Sequence, residues 1–215
     1  MIHLLNNSEE FFSALQKRFS NPLPGESSQE PMNARARVST EKYLANNPTH
    51  RSSAVLLSVF PHEGTIYTAL IRRPAYEGTH SGQLALPGGK VEQDDISLAQ
   101  TALRETQEEV GVKLSEENIF GALTPIYIPV SNFLVHPFVA KISERPIWIP
   151  DKHEVDAIIE FPLSQLLDAS LKDRRRIHIG KNMFMDVPCY IIDGQVLWGA
   201  TAMMFSELES ILRGN

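Results

Sequence analysis

Apolar positions change their spacing several times along the chain, and each change predicts an element. Phe11, Leu15 and Phe19 recur at i, i+4 and i+8, the stripe of a short helix. Ser8 reads as its N-cap, with Glu9 and Glu10 in the first turn. From Asn21 to Pro48 no period persists, and Pro22, Pro24, Gly25 and Pro31 break the stretch into a long covering loop. Ala54 to Phe60 predicts a buried strand, which Pro61-His62-Glu63-Gly64 turns into a second strand over Thr65 to Ile71. A helix is expected from Ser97 to Val110, ended by Gly111, with Leu98, Ala99, Ala102, Leu103, Thr106 and Val110 on one side. Strands follow near Ile119 to Leu123, Leu134 to Lys141 and Val155 to Glu160, then a short helix after Pro162. Asp193-Gly194 reads as a two-residue hairpin turn between Pro188–Ile192 and Gln195–Trp198, and Ala200 to Leu212 as a last helix. Strands and helices mix without βαβ alternation, so the class is α+β. A helix and covering loop occupy 1–50, and the main domain 51–215.

Composition narrows the class further. The 215 residues are 42% hydrophobic and 21% charged, ordinary values that exclude a disordered or collagen-like chain. The longest apolar run spans seven residues, far short of the ~20 needed to cross a bilayer. The first six residues lack a basic segment, so no secretion signal is expected and the reading is cytoplasmic. A single cysteine, Cys189, allows no internal disulfide and no multi-cysteine zinc site. The net charge of −6 makes nucleic acid and anionic membranes poor partners. An anionic substrate would need local positive charge or a bound cation.

The predicted 97–110 helix breaks the rules of stability in one place. Glu105, Glu108 and Glu109 share one arc of about 100° beside the apolar face. Like charges at i, i+4 cost a few tenths of a kcal/mol each. They also crowd the last turn, where the helix dipole disfavours negative charge. Hard divalent cations held by carboxylates are the obvious compensation, and a solvated acidic face the bland alternative. Just upstream, Leu86-Pro87-Gly88-Gly89-Lys90 forms a Gly-Gly loop whose backbone can approach a ligand closely.

Together these residues resemble the Nudix box, G-x5-E-x7-R-E-U-x-E-E-x-G-U with U aliphatic. Gly89 opens it, and Arg104, Glu105, Glu108, Glu109, Gly111 and Val112 close it. Two departures stand out. Thr106 occupies the first aliphatic position, and the interval from Gly89 to Arg104 is one residue longer, with Asp95 in place of the first Glu. The longer loop and its Asp are similar to the coenzyme A pyrophosphatase branch of the family. Arg73, Gly82 and Pro87-Gly88-Gly89 agree with the upstream signature of that branch, as do Trp198-Gly199-Ala200-Thr201-Ala202 and Arg51-Ser52-Ser53-Ala54-Val55-Leu56. Pro74, Gly78 and Leu86 depart from its Ser/Ala, Arg and Phe.

The resemblance implies an α/β/α sandwich with a mixed sheet, and cleavage of a nucleotide-diphosphate substrate with Mg²⁺ or Mn²⁺. It implies Glu105, Glu108 and Arg104 as catalytic residues, with Arg104 orienting the carboxylates. The metal ligands would be Glu105, Glu108, Glu109 and the Gly88 carbonyl. Arg72, Arg73, His80, Gln83 and Lys90 are the substrate-binding candidates. The general base stays open between Glu105 and an acid outside the box such as Glu154. The branch implies coenzyme A or a derivative as substrate, cut to 3′,5′-ADP and 4′-phosphopantetheine. An ADP-sugar or nucleoside triphosphate, or a non-catalytic nucleotide sensor, are the alternatives; a homodimer stays open.

Other residues carry weaker signals. Arg174-Arg175-Arg176 reads as a solvated loop, with a grip on a 3′-phosphate as the alternative. His136 reads as a core or rim histidine and Cys189 as packing. Tyr76 and Phe133 are candidates either for stacking an adenine or for the core.

Overall fold

A computed structural model describes residues 2–34, 39–46, 49–75, 82–180 and 183–214. The chain opens with α1 (Ser8–Phe19), a single turn α2 (Glu26–Gln29) and α3 (Thr40–Asn46). Strands β1 (Arg51–His62), β2 (Thr65–Arg72), β3 (Leu84–Ala85) and β4 (Gly88–Lys90) lead to α4 (Leu98–Val110). After it come β5 (Ile119–Ala122), β6 (Ile126–Ile128), β7 (Phe133–Lys141) and β8 (Ala157–Pro162). Strands β9 (Lys172–Gly180), β10 (Met183–Ile192) and β11 (Gln195–Trp198) precede the closing α5 (Gly199–Arg213).

Strands β1 to β8 form one mixed sheet and β9 to β11 a separate antiparallel one. Among the described residues the single parallel pairing is β1 with β7, from Arg51 opposite Phe133 to Val59 opposite Lys141. Alternation along the strands sorts the side chains onto two faces. On β1, Ala54 and Leu56 pack with Ala102 and Leu103 of α4. Leu57 and Val59 face the other way, into a larger core with Phe205, Leu208 and Leu212 of α5. The sheet is therefore covered by α4 on one face and α5 on the other, an α/β/α sandwich.

The first fifty residues join that larger core. Leu5, Phe11, Phe12, Leu15 and Met32 are all buried in it. Gln29 of α2 donates through its side-chain amide to the buried Glu207 of α5 at 2.9 Å. Thr124 donates its backbone N–H to the same carboxylate at 3.0 Å and its hydroxyl at 2.6 Å.

Local expectations shift at several points. Asn7 rather than Ser8 caps α1, its Oδ1 accepting the Glu10 N–H at 3.4 Å. The stretch expected as a loop from 21 to 48 contains α2 and α3 plus a 3-10 turn over Glu30–Met32, all too short to show a period. The first hairpin turns on Glu63-Gly64 alone, both at positive φ, and β1 runs on through Pro61 and His62. Val155 lies before its strand, in a turn closed by its N–H to the Asp151 carbonyl at 2.7 Å. Arg174, Arg175 and Arg176 lie on strand β9, not in a loop, because the apolar partner β10 supplies a pairing that an arginine run does not advertise. Asp193-Gly194 forms the expected turn, both residues at positive φ. Among the described residues no helix is long and apolar enough to cross a membrane.

Candidate active site

Helix α4 is fixed at both ends. The Ser97 hydroxyl accepts the Gln100 N–H at 3.0 Å, and Gly111 ends the helix in the left-handed conformation at φ 73°. Thr106 fits the apolar face because its hydroxyl donates to the Ala102 carbonyl at 2.7 Å and so needs no other partner. The first departure from the Nudix pattern is thereby neutral.

The second departure is explained by Arg104. Asp95, almost wholly buried, accepts Arg104 Nε and Nη2, each at 3.0 Å. It also takes the Glu92 N–H and the Thr101 hydroxyl, each at 2.9 Å. Hydrogen bonding from Arg104 above all holds the Asp95 carboxyl far below the usual carboxylate range. Asp95 thus ties the longer loop to α4 through Arg104 and Thr101. The remaining arm of the guanidinium reaches Glu105 at 3.1 Å and Glu108 at 3.0 Å, and Nη2 also donates to the Lys90 carbonyl at 3.2 Å. Arg104 thus aims carboxylates, with its donors spent on protein oxygens.

The three glutamates differ in burial. Glu109 is 2% exposed, while the Glu108 side chain is 59% exposed. The Gly88 N–H donates to Glu109 Oε2 at 2.9 Å. Gly88 sits at φ 151°, and a Cβ there would strike the Ala54 carbonyl and Val55. At Gly89 a Cβ would occupy the Glu105 carboxylate. Both glycines are therefore required by close approach. Burial pushes the Glu109 carboxyl up to about 7; the Gly88 N–H and Arg73 oppose this, while Glu105 and Glu154 add to it. Burial also raises Glu105, against the pull of Arg104 and with further repulsion from Glu108 and Glu154.

This donor set fits a hard divalent cation by its chemistry: carboxylate oxygens with more negative charge than Arg104 offsets. Among the described residues, however, no three acidic or histidine side chains converge closely enough to hold a metal ion. Arg104 bridges Glu105 and Glu108, whereas Gly88 holds Glu109. The glycine meets the cluster through its N–H.

The substrate-binding candidates separate by strand face. Leu70 of β2 belongs to the core on the α5 side, and Ala69 and Ile71 to the core beside Val110 at the end of α4. Continued alternation sends Arg72, the last residue of β2, to the α5 side, and Arg73 follows just past the strand. Arg73 acts on Glu109 electrostatically. Arg72 is instead engaged by Asp156 at 2.7 Å and by Gln195 at 3.2 Å, away from the carboxylates. Arg72 is thus held by protein partners, with 37% of its side chain exposed. The Gln83 carbonyl accepts the Arg73 N–H at 3.0 Å, and Lys90 is exposed next to the Gly-Gly pair. His80, Tyr76 and Gly78 lie outside the described residues. Phe133 is covered by the Arg51 guanidinium, 4.1 Å from its ring centroid. His136 is half-buried, and Cys189 is buried in the second sheet. Asp156 and Gln195 carried no signal in the sequence, being single polar residues, one in the bend before β8 and one at the start of β11.

The sequence model of the NUDIX domain matches residues 49–179, more than half of the chain. The chain belongs to the Nudix family. It is 31% identical over 141 residues to the mitochondrial coenzyme A diphosphatase NUDT8 of Mus musculus, covering 65% of this chain and 66% of that protein. Identity to the Homo sapiens NUDT8 is 31% over 158 residues, covering 71% of this chain and again 66% of the relative. The match thus spans just under two thirds of these mammalian Nudix proteins. An uncharacterized Nudix hydrolase NudL of Yersinia pestis (strain Pestoides F) is 35% identical over 162 residues, 74% of this chain and 79% of that one. Among solved structures, a MutT/nudix family protein from Enterococcus faecalis aligns with a TM-score of 0.51 at 17% identity, covering 87% of this chain and 73% of its own. The MutT protein from Methanosarcina mazei Go1 gives 0.51 at 19% identity, covering 77% and 96%. Identities this low show the Nudix fold alone.

Proposed function

We propose that this Nudix hydrolase cleaves the diphosphate bond of coenzyme A or its derivatives, releasing 3′,5′-ADP and 4′-phosphopantetheine. The observation that carries the reading is the surplus of carboxylate charge at Gly88-Gly89, with the Arg73 charge acting on Glu109. Nudix hydrolases generally depend on a divalent cation, and Mg²⁺ or Mn²⁺ suits these oxygen donors. Glu105, Glu108, Glu109 and the Gly88 carbonyl would hold it. Once bound, the cation supplies neutralisation of the diphosphate and acidification of water. Arg104 orients Glu105 and Glu108. Arg73, Gln83 and Lys90 would receive phosphate oxygens, joined by His80 from the sequence signature.

For the general base, the turn that carries exposed Glu154 is bonded to α4 through the Asp151 N–H and the Glu109 carbonyl at 2.9 Å, which supports Glu154 over the ligand Glu105. The named activity of the NUDT8 relatives supports coenzyme A as substrate. Gly78, where the coenzyme A branch expects Arg, favours the second reading, an ADP-sugar substrate. A panel of coenzyme A, dephospho-coenzyme A and ADP-ribose, each with Mg²⁺ or Mn²⁺, decides between them. Coenzyme A should show the highest kcat/KM, about tenfold or more over dephospho-coenzyme A, from a charge-assisted contact to the 3′-phosphate. Faster cleavage of ADP-ribose than of either would move the assignment to ADP-linked sugars.

A further inference from the structure

We propose that Arg72 is a positioning residue: it clamps the turn of residues 151–156 to strand β2 and to Gln195, and so fixes the direction of Glu154. The inference rests on the reading of Glu154 as general base. That turn is anchored at both ends. At its start the Asp151 N–H donates to the Glu109 carbonyl at 2.9 Å, which ties it to α4. Within it the Glu154 N–H returns to the Asp151 carbonyl at 3.1 Å, and Val155 is fully buried. At its end the Asp156 N–H donates to the Arg72 carbonyl at 2.9 Å. The Asp156 carboxylate then accepts Arg72 Nε and Nη2, both at 2.7 Å, while Nη1 reaches Gln195 Oε1 at 3.2 Å.

One guanidinium therefore joins β2, the turn and the three-stranded sheet. The turn needs such a tie. It carries three acids and one lysine in six residues, beside a cluster of three further glutamates that repel it. The Glu154 side chain is exposed, so its direction comes from the turn that bears it. Arg72 attracts the turn from the α5 side, where its charge does not compete with Arg73 for the substrate. Arg72 ends strand β2 and Arg73 follows it, so the two adjacent arginines divide the work between the clamp and the carboxylate cluster.

The test is a cycle of Arg72→Gln, Glu154→Gln and the double variant, assayed with Mg²⁺ and coenzyme A, or ADP-ribose should the wild type prefer it. Asp156→Asn, which keeps the backbone bond, is the second probe of the clamp. Arg213→Gln breaks an ion pair of a comparably exposed arginine, to Glu209, as a control. Arg72→Gln and Asp156→Asn should each lower kcat about tenfold at unchanged KM, since small misplacements of a reacting group cost this much or more. Arg72→Gln should cost nothing further once Glu154 is Gln. Amide exchange over residues 151–156 should quicken in Arg72→Gln, and Arg213→Gln should match the wild type in both kcat and this exchange. A Glu154→Gln enzyme as fast as the wild type overturns the Glu154 reading and this inference with it. A slow Glu154→Gln enzyme that loses the same factor again on Arg72→Gln overturns the inference alone. A raised KM with kcat intact overturns it too, making Arg72 a binding residue.

Discussion

The two helices that sandwich the sheet both bury glutamates, and they treat the charge in opposite ways. On α5, Glu209 is 4% exposed and receives Lys172 at 2.7 Å, the Tyr190 hydroxyl at 2.8 Å and Arg213 at 2.9 Å. Burial disfavours its charge, yet these three donors together hold its carboxyl below the ordinary value. On α4, Glu109 is as deeply buried, and burial, with Glu105 and Glu154 adding to it, pushes its carboxyl up to about 7 against only the Gly88 N–H and the Arg73 charge. No basic residue stands in the last turn of α4 to relieve it. A buried acid with matched donors joins parts of a fold. One left among like charges stores electrostatic repulsion that a cation can relieve.

The largest effect expected from this contrast is on catalysis. Glu109→Gln or Glu108→Gln should lower kcat/KM by more than about 100-fold, because losing even an outer partner of a metal site costs about 10–100-fold. The thermal midpoint should hold or rise slightly, since one of three repelling charges is gone. A lower midpoint without metal would make the α4 acids structural, like those of α5. Glu209→Gln should show the reverse pattern. It leaves Lys172 and Arg213 without their partner and should cost about 2–3 kcal/mol, at the low end for a broken buried pair because both cations are partly solvated. Urea titration should detect this, with kcat/KM unchanged at a temperature where the variant is folded.

The pH dependence of stability, measured in chelator, should split the two sites by sign. Glu109 has a folded pKa raised above its unfolded value, so its contribution is fully present below about 4.5 and is lost as pH rises through about 7. Glu209 has a lowered folded pKa, so its contribution is present above the unfolded value and is lost as pH falls through the folded one. The thermal midpoint of the wild type should therefore decline relative to Glu109→Gln between pH 5 and 8. Relative to Glu209→Gln, the wild type should lose its advantage only under acid conditions. The same sign for both would erase the contrast. The smallest effect belongs to Thr106→Val, which removes a hydroxyl already satisfied inside the helix and should shift stability by less than about 1 kcal/mol. A larger loss would mean that the hydroxyl has a role beyond the Ala102 carbonyl.

Much of the site was legible from local spacing. The arc of Glu105, Glu108 and Glu109 follows from the helical period, and the Gly88-Gly89 pair signals close backbone approach before any partner is known. What the spacing could not supply was the partner of Asp95. Its departure from the Nudix pattern became intelligible only when the Arg104 guanidinium was found upon it. The arginine run at 174–176 forms a strand that its own sequence does not predict for a related reason, since a polar strand is specified only through the β10 residues that pair with it.

By itself, the sequence determined the box, the α4 boundaries and the Asp193-Gly194 turn, because dihedral preferences and contacts within four residues are local properties. Only the tertiary structure decided which neighbouring arginine faces the carboxylates. It also brought residues 151–156 beside α4 and set the N-terminal helix into the common core. Those outcomes depend on strand faces and on contacts between residues far apart in sequence, such as Arg72 with Asp156 and Gln195. Polarity fixes neither, because an isolated Arg, Asp or Gln has the same hydrogen-bonding groups whichever face it meets.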